Sequence, residues 1–234
     1  MTKPVPYKRE RPEGHPPYLY APYVSTIKRA PKRALIRLDH TLSEVTGPGF
    51  ASGWAGPDKA DLTRQYAGEA IGARIILAGR VLDEDGRPVP STLLEIWQAN
   101  AAGRYIDKAD QHNAPLDPNF SGAGQLITNE RGEFRFLTIK PGPYPWRNTY
   151  NAWRAAHIHF SVFGPAFATR LVTQMYFPGD PLLPLDPIFN STADAEARNR
   201  LVSAYDPNLS EAEYALGYVF DIVLRGRAAT PMEA

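Results

Sequence analysis

Cysteine is absent from all 234 residues, which excludes disulfides, thiolate metal cages, a cysteine nucleophile and a thiol redox switch. Charge of one sign is not in excess either. Lys+Arg 26 against Asp+Glu 25 leaves a formal net charge of +1, without the basic field of a nucleic-acid binder or an acidic tail. No uncharged apolar run approaches the ~18 residues that span a bilayer, and the opening MTKPVPYKRERPEGHPPY has no apolar core of the signal-peptide kind. The expectation is a cytoplasmic protein that engages neither nucleic acid nor membrane.

Proline, by contrast, is plentiful. The chain has 23 prolines and 18 glycines, and a proline share about twice the usual ~5 per cent argues for many turns and few long helices. Residues 1–24 set Pro4, Pro6, Pro12, Pro16, Pro17 and Pro22 among Tyr7, Tyr18, Tyr20 and Tyr23. That mixture is too broken for a helix and too aromatic for a solvated tail, so an arm over residues 1–73 is expected to strap its own domain or clasp a second subunit. The charges of KRAPKR (Lys28 to Arg33) read as a solvated face.

From Arg74 onwards, short apolar runs of period two alternate with turns. Residues 74–82 and 92–98 flank a turn centred on Asp85-Gly86; residues 125–128 and 133–137 flank Asn129-Glu130-Arg131-Gly132. Further strands are expected at 156–163, 170–177 and 214–224. The fold class that follows is all-β, a β-sandwich over residues 74–234 with long loops, the extended arm and one short helix at 193–204. Ser191 and Asp194 have capping-box spacing for that helix, and Asp206-Pro207 stops it. Residues 99–124 and 139–154 read as long loops, where rigid scaffolds usually carry function.

The chemistry-bearing residues sit in and around those loops. His157 and His159 fall two apart in an expected strand, so their side chains share one face about 6.5 to 7 Å apart along the backbone. His-x-His alone suits buried structural histidines as well as a metal site. No Asp or Glu lies near the pair in sequence, which weakens a two-histidine, one-carboxylate triad. Tyrosine stands out instead. Tyr144 is stiffened between Pro143 and Pro145, and Tyr105 follows Gly103-Arg104 just after the strand that carries Trp97. Either tyrosine taken singly reads as a packed aromatic. His15, His40 and His112 read as solvated or structural.

Together Tyr105, Tyr144, His157 and His159 form a Tyr-x38-Tyr-x12-His-x-His array, set in EIWQANAAGRY, TIKPGPYPWR and WRAAHIH. This array closely resembles the intradiol ring-cleavage dioxygenases, over nearly the whole chain. The missing helical period in residues 1–73 favours the branch that acts on 3,4-dihydroxybenzoate over the single-chain catechol enzymes.

The resemblance implies one non-haem Fe(III) per chain, held by Tyr105, Tyr144, His157 and His159, with Tyr144 also the base that takes a substrate proton. It implies that Arg154 stabilises anionic intermediates and that Gln174 pairs with it. Tyr23, Trp146, Arg147 and Ile188 match pocket positions that meet the aromatic diol. It further implies O2 as co-substrate and a related alpha subunit without iron, in a higher hetero-oligomer. Hard phenolate oxygens suit a ferric ion, where sulfur would favour softer metals. The alternatives are a catechol or hydroxyquinol enzyme of the same chemistry, and a transthyretin-like sandwich that only binds or assembles.

Overall fold

The computed structural model describes residues 12–36, 60–150, 153–163 and 170–233. His40 and the arm readings on residues 1–11 and 37–59 therefore lie outside the described residues. The core is two facing sheets. One is built on Arg74–Leu82 (β1), which pairs with Glu133–Ile139 (β4) on one side and with Leu216–Val219 (β10) and Ile222–Val223 (β11) on the other; Ala204–Tyr205 (β9) extends β10. The other sheet runs in the order Ala123–Ile127 (β3), Leu93–Gln98 (β2), His157–Phe163 (β7) and Arg170–Tyr176 (β8). This is the expected β-sandwich.

Alternation explains the layers. Ile75, Leu77 and Val81 of β1 and Phe134 and Phe136 of β4 meet Leu94 and Ile96 of β2 and Ile158, Phe160 and Val162 of β7 in one buried cluster. The Phe160 ring lies 6.0 Å from Phe134, 6.2 Å from Phe136 and 5.5 Å from Phe220, so it touches the opposite sheet at three points. Each such buried side chain contributes about 1.5 to 3 kcal/mol over an exposed one. The two strand-turn-strand units do not close as hairpins: β1 and β2 lie in different sheets, as do β3 and β4. The turn at Asp83 to Gly86 folds back only as far as a bridge between Leu82 and Pro88, after which the chain rounds the sandwich edge.

The run at 214–224 divides at Phe220 and Asp221, because the Asp221 carboxylate accepts from the Arg80 backbone N–H at 2.9 Å and takes the place of a ladder bond. Gly79 permits the approach there, since a Cβ would sit 1.9 Å from the Phe220 carbonyl oxygen.

The helix expected at 193–204 is shorter and has company. The described helices include Ser25–Arg29 (α1), Pro187–Ser191 (α2) and Ala195–Asn199 (α3). Asp194 caps α3 by accepting from the Glu196 and Ala197 N–H groups, whereas Ser191 closes α2 by donating to the Ile188 carbonyl. Beyond Asn199 the chain is captured by β8: the Tyr176 N–H donates to Leu201 at 2.8 Å and Ser203 N–H to Tyr176 at 2.9 Å. Sheet hydrogen bonds override helical propensity at this point. The loop at 139–154 contains a two-residue ladder, Tyr144–Pro145 (β5) against Trp153–Arg154 (β6), with Tyr144 directly opposite Arg154. Among the described residues no helix is long and apolar enough to cross a membrane.

Candidate active site

Strand β7 is buried on both faces, and its inner and outer residues do different work. Ile158, Phe160 and Val162 fill the core, leaving His157 and His159 side by side on the other face with ring centroids 4.8 Å apart. The register places Trp97 of β2 and Gln174 of β8 on either side of His159, and Tyr176 of β8 beside His157. Trp97 stacks on the His159 ring at 4.7 Å with 9° between planes, which fixes its tilt.

Two loops bring the tyrosines over this face. They touch backbone to backbone because glycines stand at the crossings: a Cβ on Gly103 would meet the Pro143 carbonyl oxygen at 2.1 Å, and one on Gly142 the Ala101 oxygen at 2.4 Å. Gly103 also has φ +76, a left-handed backbone that favours glycine. The Tyr105 backbone N–H is held by Asp110, and the loop beneath it by the Asn100 carboxamide, which accepts from the Ala102 and Arg104 N–H groups. The Tyr105 and Tyr144 rings then meet edge to face at 5.4 Å.

Four donor atoms converge as a result. Tyr105 Oη lies 3.2 Å from His159 Nε2, and Tyr144 Oη 3.4 Å from His157 Nε2. The far side of each imidazole already has a partner: His157 Nδ1 donates to the Ala155 carbonyl at 2.6 Å, and His159 Nδ1 meets Glu233 Oε2 at 3.0 Å. Both Nε2 lone pairs are thereby directed at the phenols. Burial and the neighbouring Arg154 cation hold His157 well below the usual imidazole range, so it stays neutral. Burial pushes the Tyr105 phenol well up, with Tyr144 adding to the rise, and burial raises Tyr144 against the pull of Arg154. Phenols in this setting ionise only beside a strong positive charge, and the set of two hard oxygens and two imidazoles fits a trivalent iron ion. Among the described residues no three His, Cys, Asp or Glu side chains gather as a metal site.

Arg154 joins the cluster from β6. It is 2 % exposed, and Nε donates to the fully buried Asp186 at 2.8 Å. Nη2 donates to Gln174 Oε1 at 2.5 Å and to Tyr176 Oη at 3.1 Å, while Nη1 reaches Tyr144 Oη at 3.4 Å. Burial disfavours the cation, yet the attraction of Asp186 prevails and keeps Arg154 charged. Trp146 covers the guanidinium at 5.2 Å and packs on Tyr23 at 4.9 Å. Ile188 is buried one turn from the site, its N–H donating to the second oxygen of Asp186. Arg147 is exposed, and among the described residues no hydrogen bond or ion pair links it to the cluster.

A family model described as Dioxygenase matches residues 45–226, and one described as protocatechuate 3,4-dioxygenase beta subunit N terminal matches residues 7–41. The chain belongs to the intradiol dioxygenase family. It is 58% identical over 222 residues to the protocatechuate 3,4-dioxygenase beta chain of Burkholderia cepacia, covering 94% of each. It is 30% identical to the protocatechuate 3,4-dioxygenase alpha chain of Pseudomonas putida, over 82% of this chain and 95% of that one. Among solved structures, the 3-chlorocatechol 1,2-dioxygenase of Rhodococcus opacus 1CP matches with a TM-score of 0.54 at 27% identity, over 76% of this chain and 69% of that one.

This intradiol dioxygenase also contains site residues that sequence reasoning passed over. Tyr176 was legible in principle, two residues beyond Gln174 on the same face of an expected strand. Asp186 precedes Pro187 and so announces a helix cap, but nothing in the sequence ties it to Arg154, 32 positions away. Glu233 carries no local signal at all.

Proposed function

We propose that this chain is the iron-bearing subunit of an enzyme that cleaves protocatechuate (3,4-dihydroxybenzoate) between its two hydroxylated carbons. Both atoms of O2 enter the product, 3-carboxy-cis,cis-muconate. The observation that carries this reading is the convergence of Tyr105 and Tyr144 Oη with His157 and His159 Nε2 on one buried face, in a chain 58% identical to a protocatechuate 3,4-dioxygenase beta chain. Those four side chains would hold the iron. Bound ferric iron supplies a Lewis-acid centre that keeps a diol in place and draws its electrons toward reaction with O2.

The protein residues around that centre have separate tasks. Tyr144 Oη, as a tyrosinate, would accept a proton from an incoming diol hydroxyl; burial, which raises this phenol, favours the transfer, while Arg154 Nη1, 3.4 Å away, steadies the tyrosinate before it. Arg154 is locked by Asp186, Gln174 and Tyr176, so its charge is in position before any reorganisation occurs. Trp97 and Glu233 keep the His159 ring in one orientation. Tyr23 and Trp146, packed ring on ring at 4.9 Å, and the buried Ile188 would supply the apolar surface against which the ring of the diol rests, and the exposed Arg147 would meet it from the solvent side.

A related alpha chain without iron completes the assembly in this reading, and residues 1–73 form an arm that packs on the core, on that partner, or on both. Two links support the packing of the arm on its own core: the Val24 N–H donates to the Asn148 carbonyl at 3.1 Å and Ser25 N–H to the Asn148 side chain at 2.7 Å, in the loop that carries Trp146. The reading includes a cytoplasmic location. Oxygen uptake with protocatechuate, catechol and hydroxyquinol tests the substrate: protocatechuate should turn over fastest, and equal rates with catechol would contradict the assignment. A protein that purifies without iron and cleaves no diol would leave the binding module standing.

A further inference from the structure

The residues after β11 do not trail away from the sandwich. Thr230 locks onto β11, its N–H donating to the Val223 carbonyl at 2.9 Å while its hydroxyl accepts from the Val223 N–H at 3.0 Å. Arg200 Nε donates to the Ala229 carbonyl at 3.0 Å. The segment then crosses to the second sheet. Thr173 Oγ1 of β8 donates to the Pro231 carbonyl at 2.7 Å, and the Glu233 N–H donates to the Val172 carbonyl at 2.7 Å. Ala229 and Thr230 are buried at 3% and 1%. A stretch held by both sheets delivers one carboxylate to a defined point, Oε2 of Glu233 at 3.0 Å from His159 Nδ1.

The two histidines of β7 are therefore supported unequally. His157 donates to a neutral carbonyl two residues away in its own chain segment, whereas His159 faces an ionisable carboxylate from 74 positions away. A carboxylate acceptor fixes the tautomer with the proton on Nδ1, orients the ring and makes Nε2 a stronger electron donor than a carbonyl acceptor does. The side-chain amide of Gln174, whose nitrogen is buried without a partner of normal hydrogen-bond geometry, stands beside the same carboxylate. Gln174 Oε1 is taken by Arg154 and Tyr176, so one side chain bridges the cation at Tyr144 and the anion at His159.

We propose that Glu233 is a positioning residue for His159, and that the clamped segment 229–233 thereby sets both the grip on the metal and its electron demand. The inference rests on the reading of His159 as an iron ligand. It adds that a carboxylate outside the ligand array, borne on a segment with no sequence motif, tunes that ligand.

The test compares wild-type protein with Glu233→Gln, which keeps size and the backbone bond to Val172, and with Glu233→Ala. Three quantities are read: iron per chain, the rate of iron loss to an added chelator, and the position of the tyrosinate-to-iron absorption band. Glu233→Gln should lose iron about 10- to 100-fold faster, and its band should move to longer wavelength as the metal becomes poorer in electrons. Glu233→Ala should do the same to at least that degree. Thermal melting of the iron-free forms should remain within a few degrees of wild type. Wild-type protein that holds iron, alongside a Glu233→Gln form with the same loss rate and the same band, overturns the proposal about Glu233 alone. Wild-type protein that takes up no iron overturns the ligand assignment and this proposal together.

Discussion

Arg154 is a buried cation whose stability hangs on one carboxylate. The pair with Asp186 is dry on both sides, at 2% and 0% side-chain exposure, so removing one partner leaves an uncompensated charge in the interior. Asp186→Asn should cost about 3 to 5 kcal/mol, read by denaturant unfolding; a loss under about 1 kcal/mol would mean that the guanidinium finds another acceptor. In the proposed function, Tyr144 combines a ligand role with a proton role. Tyr144→Phe should retain much of the iron but slow anaerobic diol association, followed by the shift of the visible band; unchanged association kinetics would remove the base role. Each histidine shows how little a residue's own neighbourhood in sequence reveals: the Nδ1 partner of His157 is two positions away, that of His159 is 74 away.

Elements carry these residues to one place, and the tightest tolerance lies where two loops cross. Gly103→Ala would have to adopt φ +76 and push aside the Pro143 carbonyl, which should cost more than about 1 kcal/mol and move Tyr105 away from Tyr144. The expected outcome is lost iron with the far-UV spectrum of the sandwich retained; full iron content would show that the loops re-close. At the start of β4, hydrogen bonds from Arg131 and Asn129 hold the exposed Glu133 carboxyl down to about 2 from its ordinary 4.5. A depressed carboxylate stabilises the fold above its unfolded value and loses that contribution as pH falls through the folded one. The loss therefore falls between about pH 4.5 and 2. Arg131→Ala should raise the Glu133 value measured by NMR titration toward 4.5; no change would assign the shift to Asn129.

The longer strands were legible because period-two alternation reports burial: residues 74–82 coincide with β1, and the 170–177 run ends one residue past β8. The β5–β6 ladder was not, since two residues have no period. The helix expected at 193–204 ends at Asn199, because nothing in its sequence signals that the Tyr176 N–H donates to the Leu201 carbonyl and the Tyr176 carbonyl accepts from the Ser203 N–H.

At the scale of the whole molecule, the sandwich separates its two tasks across single strands. The inward face of β7 binds the sheets together through Ile158, Phe160 and Val162, and the outward face presents the histidines. Sequence spacing could place His157 and His159 on one face, but the approach of Tyr105 and Tyr144 depends on loops closing over a third dimension, and only the resemblance to a known family joined them beforehand. Arg147, matched to the pocket by motif alone, stands exposed in the described chain. The central claim is that four side chains from three separate stretches of chain hold a single iron ion. Anomalous diffraction at the iron absorption edge, on crystals of the iron-loaded protein, tests it most directly. The account predicts one peak per chain within bonding distance of Tyr105 Oη, Tyr144 Oη, His157 Nε2 and His159 Nε2; a peak bound by other residues, or none in fully loaded protein, would contradict it.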